Sequence, residues 1–246
     1  MPNTVVQSID YRSGDSVLIE TKNAVEDNHL PVRATKVLVT VPLGVLKADS
    51  INFVPKLPRS KLRAMERAGF GALDKFIMYW DDRTMSAFPQ SSLAWDNLMD
   101  QDWLGLILPP KMMGNFTSFF NSRSYSGMYT LTAWIAGSDA RRMDAVDDET
   151  ILHAHVMPNL QIIFGKEMPE PTAYRMTRWS EEEFSRGSYS YPAVGKSHSD
   201  VVQRLGEPVN NELFFAGEHT SSRWYGTTAG AFQSGRAAAT SIAIAL

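Results

Sequence analysis

The chain of 246 residues contains no cysteine. Disulfides and thiolate metal sites are therefore excluded, and a reducing, intracellular setting is permitted. Charge of one sign is not in excess either: 24 Lys and Arg stand against 27 Asp and Glu, a formal net charge of −3. No overall basic field exists to attract nucleic acid. The small acidic excess suits a cationic ligand without demanding one. No apolar run approaches the roughly 20 residues of a membrane span, and the most apolar tail, residues 237–246, is about half that length. Residues 1–11 hold no apolar core of signal-peptide length. Neither G-x-S-x-G nor G-x-G-x-x-G occurs, so the usual nucleophile elbow and dinucleotide-binding turn are both missing. Gly69-Phe70-Gly71 is no substitute, because it precedes a strand and lacks a third glycine at the right offset. His153 and His155 are two apart, which on a helix turns them to opposite sides and disfavours a shared metal.

What is present is ordinary for a folded protein: 43% hydrophobic and 21% charged residues, in a length that suits one large domain or two small ones. Residues 5–11 and 16–21 read as strands around a turn at Ser13-Gly14-Asp15. Residues 37–41 read as a buried strand ended by Pro42, with a turn at Leu43-Gly44. Leu62, Met65 and Ala68 mark one face of a helix that opens after Pro58. Residues 75–80, 103–108, 129–136 and 171–179 read as strands, while 109–127 give no clear pattern. Residues 147–164 read as a helix that Pro158 would kink or split. Residues 192–211 read as loop, 213–216 as a buried strand and 228–246 as a helix of small residues. Strands and helices mix without regular βαβ alternation, which predicts an α+β fold with a mixed sheet.

The most informative stretch is LFFAGEHTSSRWYGTTAGAFQSGRAAA, residues 213–239. It reads as a strand, a Gly-Glu turn, a loop, and a helix opening near Gly226-Thr227-Thr228. A helix N-terminus offers free N–H groups and a partial positive charge, which suit a phosphate or an electron-rich carbonyl edge. On spacing alone, a small-residue helix is as readily a packing device.

This stretch resembles the C-terminal signature of flavin-containing amine oxidases, in the branch of polyamine oxidases and lysine-specific histone demethylases. The matching residues are Gly217-Glu218-His219-Thr220, Gly230-Ala231 and Ser234-Gly235. Two further segments resemble the same family: RWSEEEFSRGSYSY at 178–191, and residues 37–76 with VPLGVLK, FVPKLP and GFGALDKF. The resemblance implies that Gly217 and Glu218 approach the FAD diphosphate and ribityl chain, and that Thr228, with Thr227 and Ala231, meets the flavin ring. Trp179 and Phe184 would line the flavin pocket, Pro42 would contact the cofactor, and Val6 would pair its backbone with adenine. Tyr189 and Thr227 would be the walls of the amine site, and Lys75 would hold a water beside the flavin, for proton transfer or delivery of water or O2. Ser188 stands where some relatives carry a flavin-linking cysteine, so the FAD is expected to be non-covalent.

The same resemblance implies an α+β fold with three segments. Residues 1–48 would be a hairpin and strand of the FAD domain, 49–178 a mixed-sheet substrate-binding domain, and 179–246 the FAD-contacting end. The family's N-terminal Rossmann unit is absent here. The implied activity is FAD-dependent oxidation of an amine C–N bond, with O2 as acceptor giving H2O2, on a polyamine or another small amine. A missing N-terminal FAD-binding half, in a longer protein or a second chain, is the implied partner. No nucleic acid, membrane or metal partner is expected. Two alternatives stay open: a histone-demethylase-like oxidase of methylated lysine, and an inactive fragment or interaction module that lacks FAD.

Overall fold

The computed structural model describes residues 2–88, 101–107 and 116–245. The chain divides into two compact units, Met1–Gly71 with Glu182–Leu246, and Ala72–Glu181.

In the first unit, strands β1 (Thr4–Asp10) and β2 (Val17–Asn23) form the expected hairpin. Its register shifts between Val6 and Ser8, a bulge that turns the strand. β3 (Val32–Ala34) adds to β2, and β5 (Asn52–Val54) runs parallel to β1, giving the order β3-β2-β1-β5. β5 reaches only Ser8 to Asp10 of β1, so among the described residues no strand lies beside Thr4 to Gln7 on that side. A second pair joins β4 (Val37–Val39) to β13 (Leu213–Phe215) in parallel. A third joins β6 (Gly69–Gly71) to β12 (Tyr189–Tyr191) in antiparallel register. Gly69 of β6 is needed for that pairing: a Cβ there would lie 2.6 Å from the Tyr191 ring.

Two expectations fail in this unit. Leu43-Gly44 is not a turn but the start of helix α1 (Leu43–Lys47), with Pro42 at its N-cap. Pro42 supplies a fixed φ where no N–H is required. Leu43, Val45 and Leu46 are buried, and that burial outweighs the weak helix propensity of Gly44. Residues 192–211 are not all loop, because helix α8 (His198–Gly206) lies within them. The missed signals are a Ser197 cap that accepts from the Asp200 N–H at 3.4 Å and an apolar set, Val201, Val202 and Leu205, at helical spacing. The set is short and flanked by polar residues, so it does not stand out. Helix α2 (Arg59–Arg67) packs on α8 as its apolar face requires. The C-terminal helix α9 (Thr228–Ala245) has only Gly230 and Ala238 buried.

The second unit is a five-stranded antiparallel sheet in the order β11-β7-β10-β9-β8. The strands are β7 (Leu73–Trp80), β8 (Trp103–Gly105), β9 (Ser118–Asn121), β10 (Tyr129–Ala136) and β11 (Ala173–Met176). Alternation along β7 sends Phe76, Met78 and Trp80 into the core and Lys75, Ile77 and Tyr79 to the other face. Short helices α3 (Asp82–Ala87), α4 (Arg123–Ser126) and α5 (Gly137–Met143) connect the strands. The expected helix over 147–164 forms as α6 (Asp148–Ile151), a π-helical stretch Leu152–Val156, and α7 (Met157–Phe164). Pro158 neither splits nor ends it. The chain widens into the π form just before the proline, which is one way to absorb its missing N–H and bulky ring. Strand β8 covers only the start of the 103–108 reading, whose last residue lies outside the described residues, as does part of 109–127.

Arg178 fastens this unit. Its guanidinium donates to the carbonyls of Asp144 and Val146 at 3.0 and 2.6 Å and to the Asp148 carboxylate at 2.7 Å. The structure is thus mixed α+β with mixed sheets, as expected. No helix among the described residues is long and apolar enough to cross a membrane.

Candidate functional site

Three of the sequence-derived cofactor residues meet at one cavity of the first unit. It measures about 520 Å³, and Val6, Pro42 and Phe184 all line it. The cavity lies along the part of β1 that has no strand on its second side, so main-chain groups near Val6 have no sheet partner there. Val41 and Ile51 add apolar wall, and Arg186 also lines the cavity. A flat heteroaromatic group with polar edges fits such a slot: apolar faces against Val6, Pro42 and Ile51, and edge hydrogen bonds to the strand. Sequence reading did not single out Arg186. It sits at positive φ, beside Gly187 at φ 138°, so the chain turns sharply as it leaves the cavity.

A second group of expected residues clusters around the Gly-Glu turn. Gly217 has φ 152°, a region open mainly to glycine, and a Cβ there would lie 2.5 Å from Cε1 of His219. The Gly217 N–H donates to Ser234 Oγ at 3.0 Å, and the Gly217 carbonyl accepts from Thr220 Oγ1 at 2.9 Å. Ser234 of the Ser-Gly pair therefore braces the turn. Glu218 turns its carboxylate inward, to the Ser190 N–H and hydroxyl and to the Gly226 N–H. Tyr189 lies against Gly226, where a Cβ would sit 3.3 Å from the ring, and it is 40% exposed.

Thr227 caps α9: its hydroxyl accepts from the Gly230 N–H at 3.0 Å and donates to the Trp224 carbonyl at 2.7 Å. Its methyl group, not its hydroxyl, is what remains for a ligand. Thr228 and Ala231 follow on the exposed face of the first turn. The first amides of α9 have no carbonyl within the helix, as at any helix start.

Lys75 and Trp179 belong to the second unit. Lys75 is half-buried on β7, opposite Trp134 of β10, and its Nζ lies 4.9 Å from the centre of that indole ring. Its neighbour Asp74 points the other way and is fully buried, accepting from Thr177 Oγ1 and the Trp179 N–H at 2.9 Å each. The indole of Trp179 is partly exposed. Burial and the charges of Asp74 and Glu181 raise the pKa of Asp144 in this unit.

Two buried bases lie behind the Gly-Glu turn. His219 is pushed down to about 4, first by burial and also by the charge of Lys61, with the Glu218 charge opposing. It is a neutral imidazole at physiological pH. Burial also lowers Lys61 to about 7. Its Nζ donates to the carbonyls of Arg204 and Leu205 at 2.9 and 2.8 Å and lies 4.0 Å from the Phe215 ring centre. The ring and the helix-end carbonyls attract a cation while burial resists it; burial is the larger effect. Among the described residues no group of three or more His, Asp or Glu side chains could hold a metal.

Residues 3–243 match the family model described as flavin containing amine oxidoreductase. The chain belongs to this family. It is 38% identical over 207 residues to lysine-specific histone demethylase 1 homolog 2 of Arabidopsis thaliana, covering 82% of this chain and 26% of that protein. Polyamine oxidase 2 of Arabidopsis thaliana is 34% identical over 242 residues, covering 96% of this chain and 46% of the relative. Among solved structures, the cyclohexylamine oxidase of Brevibacterium oxydans IH-35A superposes with a TM-score of 0.66 at 22% identity, over 97% of this chain and 48% of that one. A putrescine oxidase A394C mutant gives a TM-score of 0.69 at 19% identity, over 98% and 49%. Those two likenesses concern the fold. The chain spans about a quarter to a half of the length of these relatives. The family shown is the one that the sequence motifs resemble.

Proposed function

We propose that the chain is the cofactor- and substrate-facing part of an FAD-dependent amine oxidase that acts on a polyamine or another small amine. The observation that carries this reading is the cavity beside the open edge of β1, where Val6, Pro42 and Phe184, three residues singled out from sequence for the cofactor, meet in one unit. These residues fit an adenine-like group, and Gly217, Thr228 and Ala231 would continue the cofactor path. With serine at 188 there is no thiol to form a covalent link, so the FAD would be held non-covalently.

When bound, FAD supplies a two-electron acceptor for hydride from the carbon beside the amine nitrogen, with O2 as final oxidant giving H2O2. The Tyr189 ring and the Thr227 methyl group would orient the amine. Lys75 would hold a water for hydrolysis of the iminium product or pass a proton. Only the neutral amine can release hydride, so the rate should rise with pH until the substrate amine is deprotonated. Lys75→Met should slow turnover by about 10²–10⁴-fold, the usual worth of a positioned proton donor or acceptor. An unchanged rate in that variant would remove Lys75 from the scheme.

Apolar side chains on α9 are open to solvent, Phe232 at 67% and Ile244 at 82% exposed. We propose that an FAD-binding segment with a G-x-G-x-x-G turn, in the same protein or a second chain, covers this helix and completes the cofactor site. A second reading, oxidation of methylated lysine in a histone-like peptide, draws support from the 38% identity to a lysine-specific histone demethylase homologue and from threonine rather than an aromatic at position 227. H2O2 release measured with spermine and with a methyl-lysine peptide separates the two.

The direct test is an absorbance spectrum of the purified chain before and after addition of FAD and desalting. Retained flavin bands are expected if these surfaces hold cofactor without the covering segment. A colourless protein that stays colourless with a G-x-G-x-x-G-bearing segment of the family supplied in trans would refute the reading, leaving an interaction module.

A further inference from the structure

The acid of the Gly-Glu turn does not face outward. Oε1 of Glu218 accepts from the Ser190 N–H at 3.0 Å, while Oε2 accepts from Ser190 Oγ at 2.6 Å and from the Gly226 N–H at 2.5 Å. Three donors on one carboxylate make a strong, charge-assisted arrangement. The donors come from two segments far apart in sequence, one 28 residues before Glu218 and one eight after it. Ser190 directly follows Tyr189, and Gly226 directly precedes Thr227. The same two segments also touch each other. Gly226 sits at φ 66° with its missing side chain toward the Tyr189 ring, and a Cβ there would be 3.3 Å from Cδ2.

We propose that Glu218 is a positioning residue: by tying Ser190 to Gly226, its carboxylate fixes where the Tyr189 ring stands, and so limits the width of the amine that fits on the open side of that ring. This rests on the amine-oxidation reading for the nature of the ligand, but the clamp itself does not. The ring is held from one side by Gly226 and is open on the other. β12 is only three residues long and is paired to β6, which anchors the strand but does not tie it to Gly226. Without the carboxylate, the Ser190 and Gly226 amides lose their shared acceptor, and this tie between the two segments is lost.

The test uses Glu218→Ala, Glu218→Gln and Ser190→Ala in the whole protein, with two readouts. The first is hydrogen exchange at the Ser190 and Gly226 amides, which requires no flavin. Exchange should quicken at least tenfold in Glu218→Ala, less in Glu218→Gln, which keeps one acceptor oxygen, and little in the interior of α9. Unchanged exchange at Gly226 would overturn the clamp. The second is the ratio of kcat/KM for a slim amine, butylamine, to that for a bulky one, N-methylbenzylamine, in the FAD-loaded protein. A width role predicts a shift of at least fivefold toward the bulky amine in Glu218→Ala, with Glu218→Gln between it and the parent. A merely structural tie would slow both amines in equal proportion, and that result would overturn the proposal. If Glu218→Ala does not fold, Glu218→Gln and Ser190→Ala decide it. If no amine is oxidised by the parent protein, the amine reading fails, and the width role with it, while exchange still decides the clamp.

Discussion

At the scale of single residues, the Gly-Glu turn shows how close packing dictates residue type. Gly217 must be glycine twice over, for its φ of 152° and for the imidazole of His219, 2.5 Å from where a Cβ would be. A packed ring cannot yield as the end of a flexible chain can. Gly217→Ala should therefore cost about 2–4 kcal/mol, combining backbone strain with overpacking. Denaturant titration would measure it, and a loss below the error of that method would mean the turn relaxes freely. His219 gives a pH signature. Its folded-state pKa, about 4, lies below its ordinary 6.5, so between these values the unfolded chain binds a proton that the folded chain refuses. Stability from this group is present above pH 6.5 and falls as the pH drops toward 4, by about 1.4 kcal/mol per pH unit. His219→Gln should flatten the slope in that window, read from unfolding free energies at pH 6.5, 5.5 and 4.5. A slope that survives would assign the acid sensitivity to other groups.

At the scale of elements, Lys61 joins two helices. It extends from α2 to the last carbonyls of α8, with 2% of its surface exposed, and satisfies two C-terminal acceptors that the helix itself leaves open. A neutral amine still has two N–H bonds, enough for both carbonyls. Its pKa of about 7 lies below the ordinary 10.5, so the unfolded chain again binds the extra proton, now between pH 7 and 10.5. Stability should rise with pH across that window, by up to about 1.4 kcal/mol per unit. Lys61→Met keeps the apolar stem and removes the titration. Its melting temperature should gain less between pH 7 and 9 than that of the parent chain. An identical gain would show that Lys61 stays charged in the folded protein, held by the helix-end carbonyls and the Phe215 ring. Helix α8 is also where sequence reading was weakest. Its three buried residues are too few, among too many polar neighbours, to register as a periodic pattern, and α2 makes the difference by covering them.

At the scale of the whole molecule, the two units have separate cores, one around Phe76, Trp80 and Leu131 and the other around Val17, Leu43 and Leu213. The expected cofactor residues Val6, Pro42, Phe184, Gly217, Glu218, Thr227, Thr228 and Ala231 all fall in the first unit, while Lys75 and Trp179 fall in the second. Free FAD should therefore stabilise the first unit. At one hundred times its dissociation constant, the gain would be about 2.7 kcal/mol. Thermal unfolding with and without FAD, followed by hydrogen exchange mass spectrometry, would show protection at residues 4–7 and 41–51. Protection confined to residues 72–181 would place the cofactor elsewhere.

The sequence by itself determined the family, through three ordered motifs, and most strands and helices, through local periodicity and the placement of proline and glycine. Residues 129–136 form a strand with the expected bounds, and α9 starts where expected, because alternation and capping are local properties. Tertiary structure alone decided the direction of side chains that have a choice. The resemblance puts Glu218 beside the FAD diphosphate and ribityl chain but does not say where its carboxylate points, and the structure turns it inward because its donors arrive from β12 and from the turn at Gly226. Thr227 gives its hydroxyl to a helix cap for the same kind of reason. The cavity at Val6 exists because β5 stops short along β1, which only the register of strands remote in sequence can fix.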